Sequence, residues 1–220
     1  MEIEMKAKVD EMQISKLIAY MNNETTFLIK SDNYFSFNGI EPKVPKEIIR
    51  IRKEKETNAF NMLKLSDRGF SSGISARNIR DILLGYSGLA SHWDLEYISK
   101  ILLTVKKKNT DHSGIERNEE TEGELSEPAT DAFLKSLEIA NFKSYFLKTK
   151  KSFSFYIDKM HAELVSVNNI GPYLEVEYIV DKNSDINNAV SSVKDLFSNI
   201  LGITEFDKRD WPTIIEQESK

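Results

Sequence analysis

The sequence of 220 residues contains no cysteine, which excludes disulfide bonds and thiolate metal sites. It also lacks any apolar run close to the roughly 20 residues that a membrane-spanning helix needs. The first residues alternate charged and apolar side chains, a pattern unlike that of a signal peptide. We therefore predict a cytoplasmic protein that makes no membrane contact.

Basic residues do not outnumber acidic residues in the sequence. The net charge is -5, and no nucleic-acid partner is expected because a protein that coats nucleic acid needs a basic face. With 40% hydrophobic and 30% charged residues, the composition is that of an ordinary globular protein. The length fits one domain over 1–220 with a sizeable insertion, as a monomer or a homodimer.

Short segments of alternating apolar residues predict strands, and the short connections between them favour antiparallel pairing. Helices are expected after the first strand, in the middle and near the end, and no βαβ rhythm is present, so the chain belongs to the α+β class. A helical insertion at about 56–99, with helical stretches near 75–84 and 89–100, is predicted to pack on the outside. Ile170-Gly171-Pro172 is typical of a turn. The predicted strands are 1–9, 25–37, 47–55, 101–108, 115–125, 142–156, 160–167 and 173–180.

Charged residues recur two positions apart on six of these strands, and such residues share one face of a strand. On a single strand, a solvated face explains the pattern. Six strands together favour a sheet closed into an antiparallel β-barrel, with the charges inside and helices covering the apolar outer face. In an empty cavity these like charges would repel, so a bound polyphosphate and divalent cations would satisfy them. The charged groups include Glu2, Glu4 and Lys6; Arg50 and Arg52; Lys106 and Lys108; Arg117 and Glu119; Lys148 and Lys150; Glu175 and Glu177.

The same segments, in order along nearly the whole chain, resemble the CYTH superfamily, which includes class IV adenylate cyclases, thiamine triphosphatases and inorganic triphosphatases. Glu2-Ile3-Glu4-Met5-Lys6 resembles the E-x-E-x-K signature of that superfamily. The other matching segments are Asp32-Asn33-Tyr34-Phe35, Ile49-Arg50-Ile51-Arg52, Leu103-Thr104-Val105-Lys106, Arg117-Asn118-Glu119, Lys148-Thr149-Lys150 and Gly171-Pro172-Tyr173-Leu174-Glu175-Val176-Glu177.

The resemblance implies a triphosphate tunnel that holds ATP or another triphosphate together with Mg²⁺ or Mn²⁺. It implies a class IV-type adenylate cyclase, with a triphosphatase for inorganic, thiamine or nucleoside triphosphate as the alternative. A non-catalytic polyphosphate- or nucleotide-binding module is the third candidate. The implied triphosphate-binding residues are Lys6, Arg50, Arg52, Lys106, Arg117, Lys148 and Lys150. The implied metal ligands are Glu2, Glu4, Glu119, Glu175 and Glu177, and the implied catalytic residues are Glu4, Lys6, Arg52 and Lys106.

One position departs from the family pattern, and the roles of three aromatic residues stay open. Val165 stands where the family has an acidic residue, and Glu163, on the same strand face, is the proposed substitute ligand. Tyr34, Phe35 and Phe37 either pack in the core, which is the commoner role of aromatic residues, or stack on a nucleotide base. The three histidines fit no metal-ligand spacing, and a structural role is expected for each.

Overall fold

The computed structural model describes residues 2–41, 46–59, 75–85, 97–110, 116–180 and 186–218, with the backbone alone at 2, 46, 108–110 and 116–118. The strands are β1 (Glu2–Lys8), β2 (Thr26–Phe37), β3 (Lys46–Asn58), β4 (Ile98–Thr110), β5 (Glu116–Leu125), β6 (Phe142–Ile157), β7 (Met160–Val167) and β8 (Ile170–Ile179). The helices are α1 (Glu11–Ile18), α2 (Ala76–Leu84), α3 (Glu127–Ile139), α4 (Ile186–Asp195), which continues as a π-helical segment (Leu196–Leu201), and α5 (Trp211–Glu218).

The eight strands pair antiparallel in the order β1-β5-β4-β3-β2-β6-β7-β8, and β1 pairs with β8 as well as with β5. The pairings therefore run in a complete ring. The contact between β1 and β5 is short and joins Glu2–Glu4 to Glu116–Asn118, whereas β1 pairs with β8 along its whole length. The predicted α+β class and antiparallel sheet are confirmed.

Two helices begin where local hydrogen bonds favour them. The Asp10 side chain accepts from the backbone of Gln13, and the Gln13 side chain accepts from the backbone of Asp10, so a capping box starts α1. Helix α3 begins at Glu127, whereas the sequence pattern predicts a helix from Thr130 to Asn141. Ser126 caps it, and Pro128 fits the first helical turn, where no backbone donor is needed.

The turn between β7 and β8 lies two residues earlier than predicted. It is formed by Asn168 and Asn169, which both have positive φ and so suit a two-residue hairpin. Ile170-Gly171-Pro172 is therefore the start of strand β8 and not a turn. Asparagine tolerates this left-handed backbone better than most residues, which makes Asn168-Asn169 the stronger turn signal.

The apolar faces of the strands point outwards and are covered by helices. The main core joins Ile3, Met5 and Ala7 of β1 to residues of α1, α2, α4 and the π-helical segment, including Ile14, Leu17, Ile79, Leu83, Val193 and Phe197. A second cluster joins α3 through Leu137 to Phe35 and Ile51. The opposite strand faces are thereby left to the charged residues.

The predicted insertion is described only in part. Its first helix is α2, which Ser75 caps. The second predicted helical stretch, 89–100, lies partly outside the described residues, and its last residues belong to strand β4. Strands β3 and β4 extend into the predicted range from both sides. Among the helices of the described residues, none combines the length and the apolar character that crossing a membrane would require.

Candidate functional site

A cavity of about 330 Å³ is lined by side chains from all eight strands. Nine of the predicted site residues meet there: Glu4, Arg50, Arg52, Lys106, Lys148, Lys150, Glu163, Glu175 and Glu177. They come together because each lies on the strand face opposite the apolar residues that pack against the helices. Lys30, Glu120, Glu122 and His161 also line the cavity.

Asp32 gathers three of the basic side chains. Its side chain is fully buried, and it accepts from Arg52 Nε at 2.7 Å and Nη2 at 3.0 Å. Lys148 Nζ lies 3.2 Å and Arg50 Nη1 lies 3.9 Å from the same carboxylate. Burial alone would raise the pKa of Asp32, but the charges of Lys148 and Arg52 outweigh it and hold the pKa well below its usual range. The negative charge of Asp32 therefore offsets the repulsion that was expected between the cations of an empty cavity.

A second buried network continues across β2, β6, β7 and β8. Lys30 Nζ donates to Glu163 at 2.8 Å, and Lys150 donates to both Glu163 and Glu175. Glu175 also accepts from Trp211 Nε1 at 2.6 Å, which ties helix α5 to the cavity. Burial alone would raise the pKa of Glu175, but the charge of Lys150 outweighs it and lowers the pKa to about 2.

A third group lies on β3, β4 and β5. Arg50 donates to Thr104 Oγ1 at 2.8 Å and lies 3.3 Å from both Glu120 and Glu122. Lys106 Nζ lies 3.0 Å from Glu120. The cations of the cavity are thus held in place by carboxylates of neighbouring strands before any ligand arrives.

The structure corrects the assignment of Glu119 to the cavity, because its side chain is exposed. Directly paired residues of adjacent strands face the same side, and Glu120 pairs with Lys106 whereas Glu119 pairs with the exposed Lys107. Glu120 and Glu122 are therefore the cavity residues of β5. The side chains of Glu2 and Arg117 lie outside the described residues.

Lys6 is buried but is not one of the side chains that line the cavity. It lies on the same face of β1 as Glu4, in register with Glu175. Val165 is buried in an apolar cluster with Val167, Tyr173, Trp211 and Ile214, where helix α5 packs on β7 and β8. The apolar side chain at this position therefore has a packing role.

Sequence reasoning missed several cavity residues. Lys30, Asp32 and Tyr34 lie two residues apart and so share one face of β2. This spacing indicates that Lys30 and Asp32 face the cavity if Tyr34 does. Glu120 and Glu122 belong to an acidic run typical of a solvated hairpin. His161, for which a structural role was expected, lines the cavity and contacts Ser154 at 2.7 Å and Glu177 at 3.4 Å.

Within the described part of the chain, no three carboxylate or imidazole side chains lie close enough together to hold a metal ion. Oxygen ligands are nevertheless plentiful. Glu4 and Glu177 both line the cavity and lie directly opposite each other in the register of β1 and β8. Two carboxylates suit Mg²⁺, which is usually bound by one or two carboxylates together with substrate phosphates and water.

No family model matches the chain, and no curated protein matches its sequence. Solved structures share its fold. The PH1819 protein from Pyrococcus horikoshii OT3 has a TM-score of 0.69 at 17% identity, with 99% of both chains covered. A "putative adenylate cyclase" from Vibrio parahaemolyticus has a TM-score of 0.57 at 12% identity, covering 98% of this chain and 97% of that one.

A third structure is the "putative adenylyl cyclase" HpAC1 from Hippeastrum, described as having a dominant triphosphatase activity. Its TM-score is 0.55 at 10% identity, covering 99% of this chain and 96% of that one. The CYTH resemblance of the sequence is thus matched by structural neighbours with cyclase and triphosphatase descriptions. At such low identity the likeness concerns the fold, and function has to be argued from the site.

Proposed function

We propose that this chain is a metal-dependent enzyme of the CYTH type, which encloses a triphosphate in the cavity and converts ATP to cyclic AMP and pyrophosphate. The observation that carries the proposal is the convergence of six basic side chains from four strands on one cavity: Lys30, Arg50, Arg52, Lys106, Lys148 and Lys150. A polyanion is the ligand that so many converging cations can bind together, through charge-assisted hydrogen bonds in a partly desolvated site.

The carboxylates of the cavity explain why a metal ion would be required. Eight carboxylates line the cavity beside the six basic side chains, so a bare triphosphate would meet repulsion as well as attraction. A divalent cation that enters with the triphosphate would remove this conflict, because it binds both phosphate and carboxylate oxygens. We therefore propose Mg²⁺ or Mn²⁺ as the cofactor.

Glu4 and Glu177 are proposed to hold the cation. Like charges directly opposite each other destabilise a sheet, and this pair is tolerated more easily with a cation between the carboxylates. The ion would supply charge neutralisation at the phosphoryl group that reacts. Arg50, Arg52 and Lys148, which surround Asp32, are proposed to orient the phosphate oxygens.

Both candidate reactions depend on positioning more than on a covalent nucleophile. In the cyclase, the ribose 3′-hydroxyl attacks the α-phosphate and pyrophosphate leaves. In a triphosphatase, water attacks the γ-phosphate. The activity described for the Hippeastrum protein favours the triphosphatase as second candidate. The apolar packing of Val165, where the family has an acidic residue, favours a non-catalytic binding module as third.

Product analysis tests the proposal. The purified protein is incubated with ATP and either Mg²⁺ or Mn²⁺, and the products are separated. Cyclic AMP with pyrophosphate supports the cyclase, whereas orthophosphate without cyclic AMP refutes it in favour of the triphosphatase. ATP binding without turnover under both metals supports the non-catalytic module.

A pair of variants tests the cavity itself. Lys106→Ala should raise the Kd for ATP by about tenfold or more, because a charge-assisted contact is lost. Lys107→Ala is the matched control, since its exposed side chain lies on the opposite face of β4. Equal effects of the two variants would contradict the proposed role of the cavity.

A further inference from the structure

Three aromatic side chains line one part of the cavity. Tyr34 lies on β2, and Tyr145 and Phe146 lie on the neighbouring strand β6. The ring centroid of Tyr34 is 5.5 Å from that of Phe146 and 6.3 Å from that of Tyr145. Ile48 of β3 adds apolar surface to the same lining. We call Tyr34, Tyr145 and Phe146 the aromatic cluster.

An irregularity in strand pairing builds this cluster. Tyr34 pairs with Phe146, but the next residue, Phe35, pairs with Ser144, so Tyr145 is an extra residue in β6. A regular strand would point Tyr145 and Phe146 to opposite faces. The bulge instead allows two consecutive aromatic side chains to line one cavity, and bulges of this kind often re-aim side chains beside functional sites.

The aromatic cluster is separate from the hydrophobic core. None of its members belongs to the hydrophobic clusters formed by the described residues, and each is only half-buried. Phe35, by contrast, faces outwards and packs beneath α3, and Phe37 is 58% exposed. Of the three aromatic residues that the sequence singled out, only Tyr34 faces the cavity.

The aromatic cluster adjoins the cations around Asp32. Lys148 Nζ lies 5.5 Å from the centre of the Tyr34 ring, and Tyr34 Oη donates to Asp32 at 3.2 Å. A ligand with its phosphates on Lys148, Arg50 and Arg52 would therefore extend its remaining part towards the aromatic rings.

We propose that the aromatic cluster binds a flat aromatic ring joined to the triphosphate, so that the substrate is an organic triphosphate and not inorganic triphosphate. This inference rests on the proposed triphosphate function. Inorganic triphosphate has no apolar surface to cover half-buried rings, whereas stacking of a ring on aromatic side chains is strongly favourable. ATP and thiamine triphosphate share the required chemistry and serve as separate probes.

Titration of the wild-type protein without divalent metal, which prevents turnover, compares inorganic triphosphate, ATP and thiamine triphosphate. We expect ATP or thiamine triphosphate to bind about tenfold to a hundredfold more tightly than inorganic triphosphate. Equal affinity for all three would overturn the ring site and leave the proposed function intact. Failure to bind any triphosphate, with or without Mg²⁺, would overturn both.

Single substitutions test whether the aromatic cluster causes the preference for an organic triphosphate. Tyr145→Leu should remove most of the preference for the organic triphosphate and leave the affinity for inorganic triphosphate unchanged. Tyr145→Phe should retain the preference, and Phe37→Leu, which alters an exposed ring outside the cavity, should have no effect. If Tyr145→Leu weakens all ligands alike, or leaves the preference intact, the assignment is wrong. If Tyr145→Leu does not fold, the titration of the wild type still tests whether organic triphosphates bind more tightly than inorganic triphosphate.

Discussion

Replacing Asp32 with asparagine should destabilise the protein more than any surface substitution. The variant keeps the shape of the side chain but removes the charge that holds Arg52, Lys148 and Arg50 together. Removal of one partner from a buried ion pair costs about 3–5 kcal/mol of unfolding free energy, because the remaining charges lose their compensation. In a domain of this size, such a loss lowers Tm by roughly 6–20 °C.

Urea denaturation of the wild type and of Asp32→Asn at neutral pH measures this difference. Asp131→Asn is the matched control, since Asp131 is exposed on α3 and its substitution should change the free energy of unfolding by no more than about 0.5 kcal/mol. A loss below about 1 kcal/mol for Asp32→Asn would refute the claim that this carboxylate neutralises the cations.

The pH dependence gives a second check with a defined sign. The folded-state pKa of Asp32 is depressed, so its stabilising effect is complete above the unfolded value of about 3.9 and is lost as pH falls towards the folded value. The stability gap between wild type and Asp32→Asn should therefore be constant from pH 7 to 5. It should narrow by about 1 kcal/mol between pH 4 and pH 3. A gap that widens in acid would show that the sign is wrong.

Three further predictions concern other parts of the cavity. Glu120→Gln should tighten the metal-free binding of inorganic triphosphate by about tenfold at low salt, because a competing charge beside the cations is removed, whereas Glu119→Gln should leave calorimetric titrations unchanged. Trp211→Phe loses a hydrogen bond of 2.6 Å to Glu175 and should lower the free energy of unfolding in urea by about 1.5–3 kcal/mol. Lys150→Met should destabilise the protein by about 3–5 kcal/mol at pH 7 and by less at pH 4, as thermal unfolding at the two pH values will show.

The sequence was most informative within single strands. Alternation alone placed Arg50 with Arg52, Lys148 with Lys150, and Glu175 with Glu177 on one face, and these pairs do line one cavity. A strand keeps this period of two wherever its pairing is regular. The pattern of paired charges on many strands therefore predicted both the inward faces and the helix-covered outer faces.

Features that depend on how two strands pair could not be predicted from the sequence. Whether Glu119 or Glu120 faces inwards depends on the register of β4 against β5, and a shift of one residue exchanges the two faces. The bulge at Tyr145 is likewise a property of the pairing with β2, so alternation along β6 could not reveal it. Asp32 was visible in a motif, but its role arises only from three cations on two other strands.

If the proposed function is correct, the ion pairs of the cavity lead us to expect that triphosphate and metal bind as coupled ligands. Arg52 contacts Asp32, and Arg50 and Lys106 contact Glu120, so a bound phosphate would compete with these carboxylates for the same cations. A divalent ion held by Glu4 and Glu177 would offset part of the negative charge that the phosphates bring into the cavity. Each ligand would thus favour the binding of the other.

Such coupling is reciprocal by thermodynamic necessity. We expect the Mg²⁺ complex of a triphosphate to bind at least about tenfold more tightly than the metal-free triphosphate, and Glu4→Gln together with Glu177→Gln to abolish that advantage. Calorimetric titration of both forms into the wild type and the double variant measures the effect. If the wild type binds the two forms equally, the carboxylates of the cavity serve only to hold its cations, and the case for metal-dependent chemistry is lost while the case for anion binding remains.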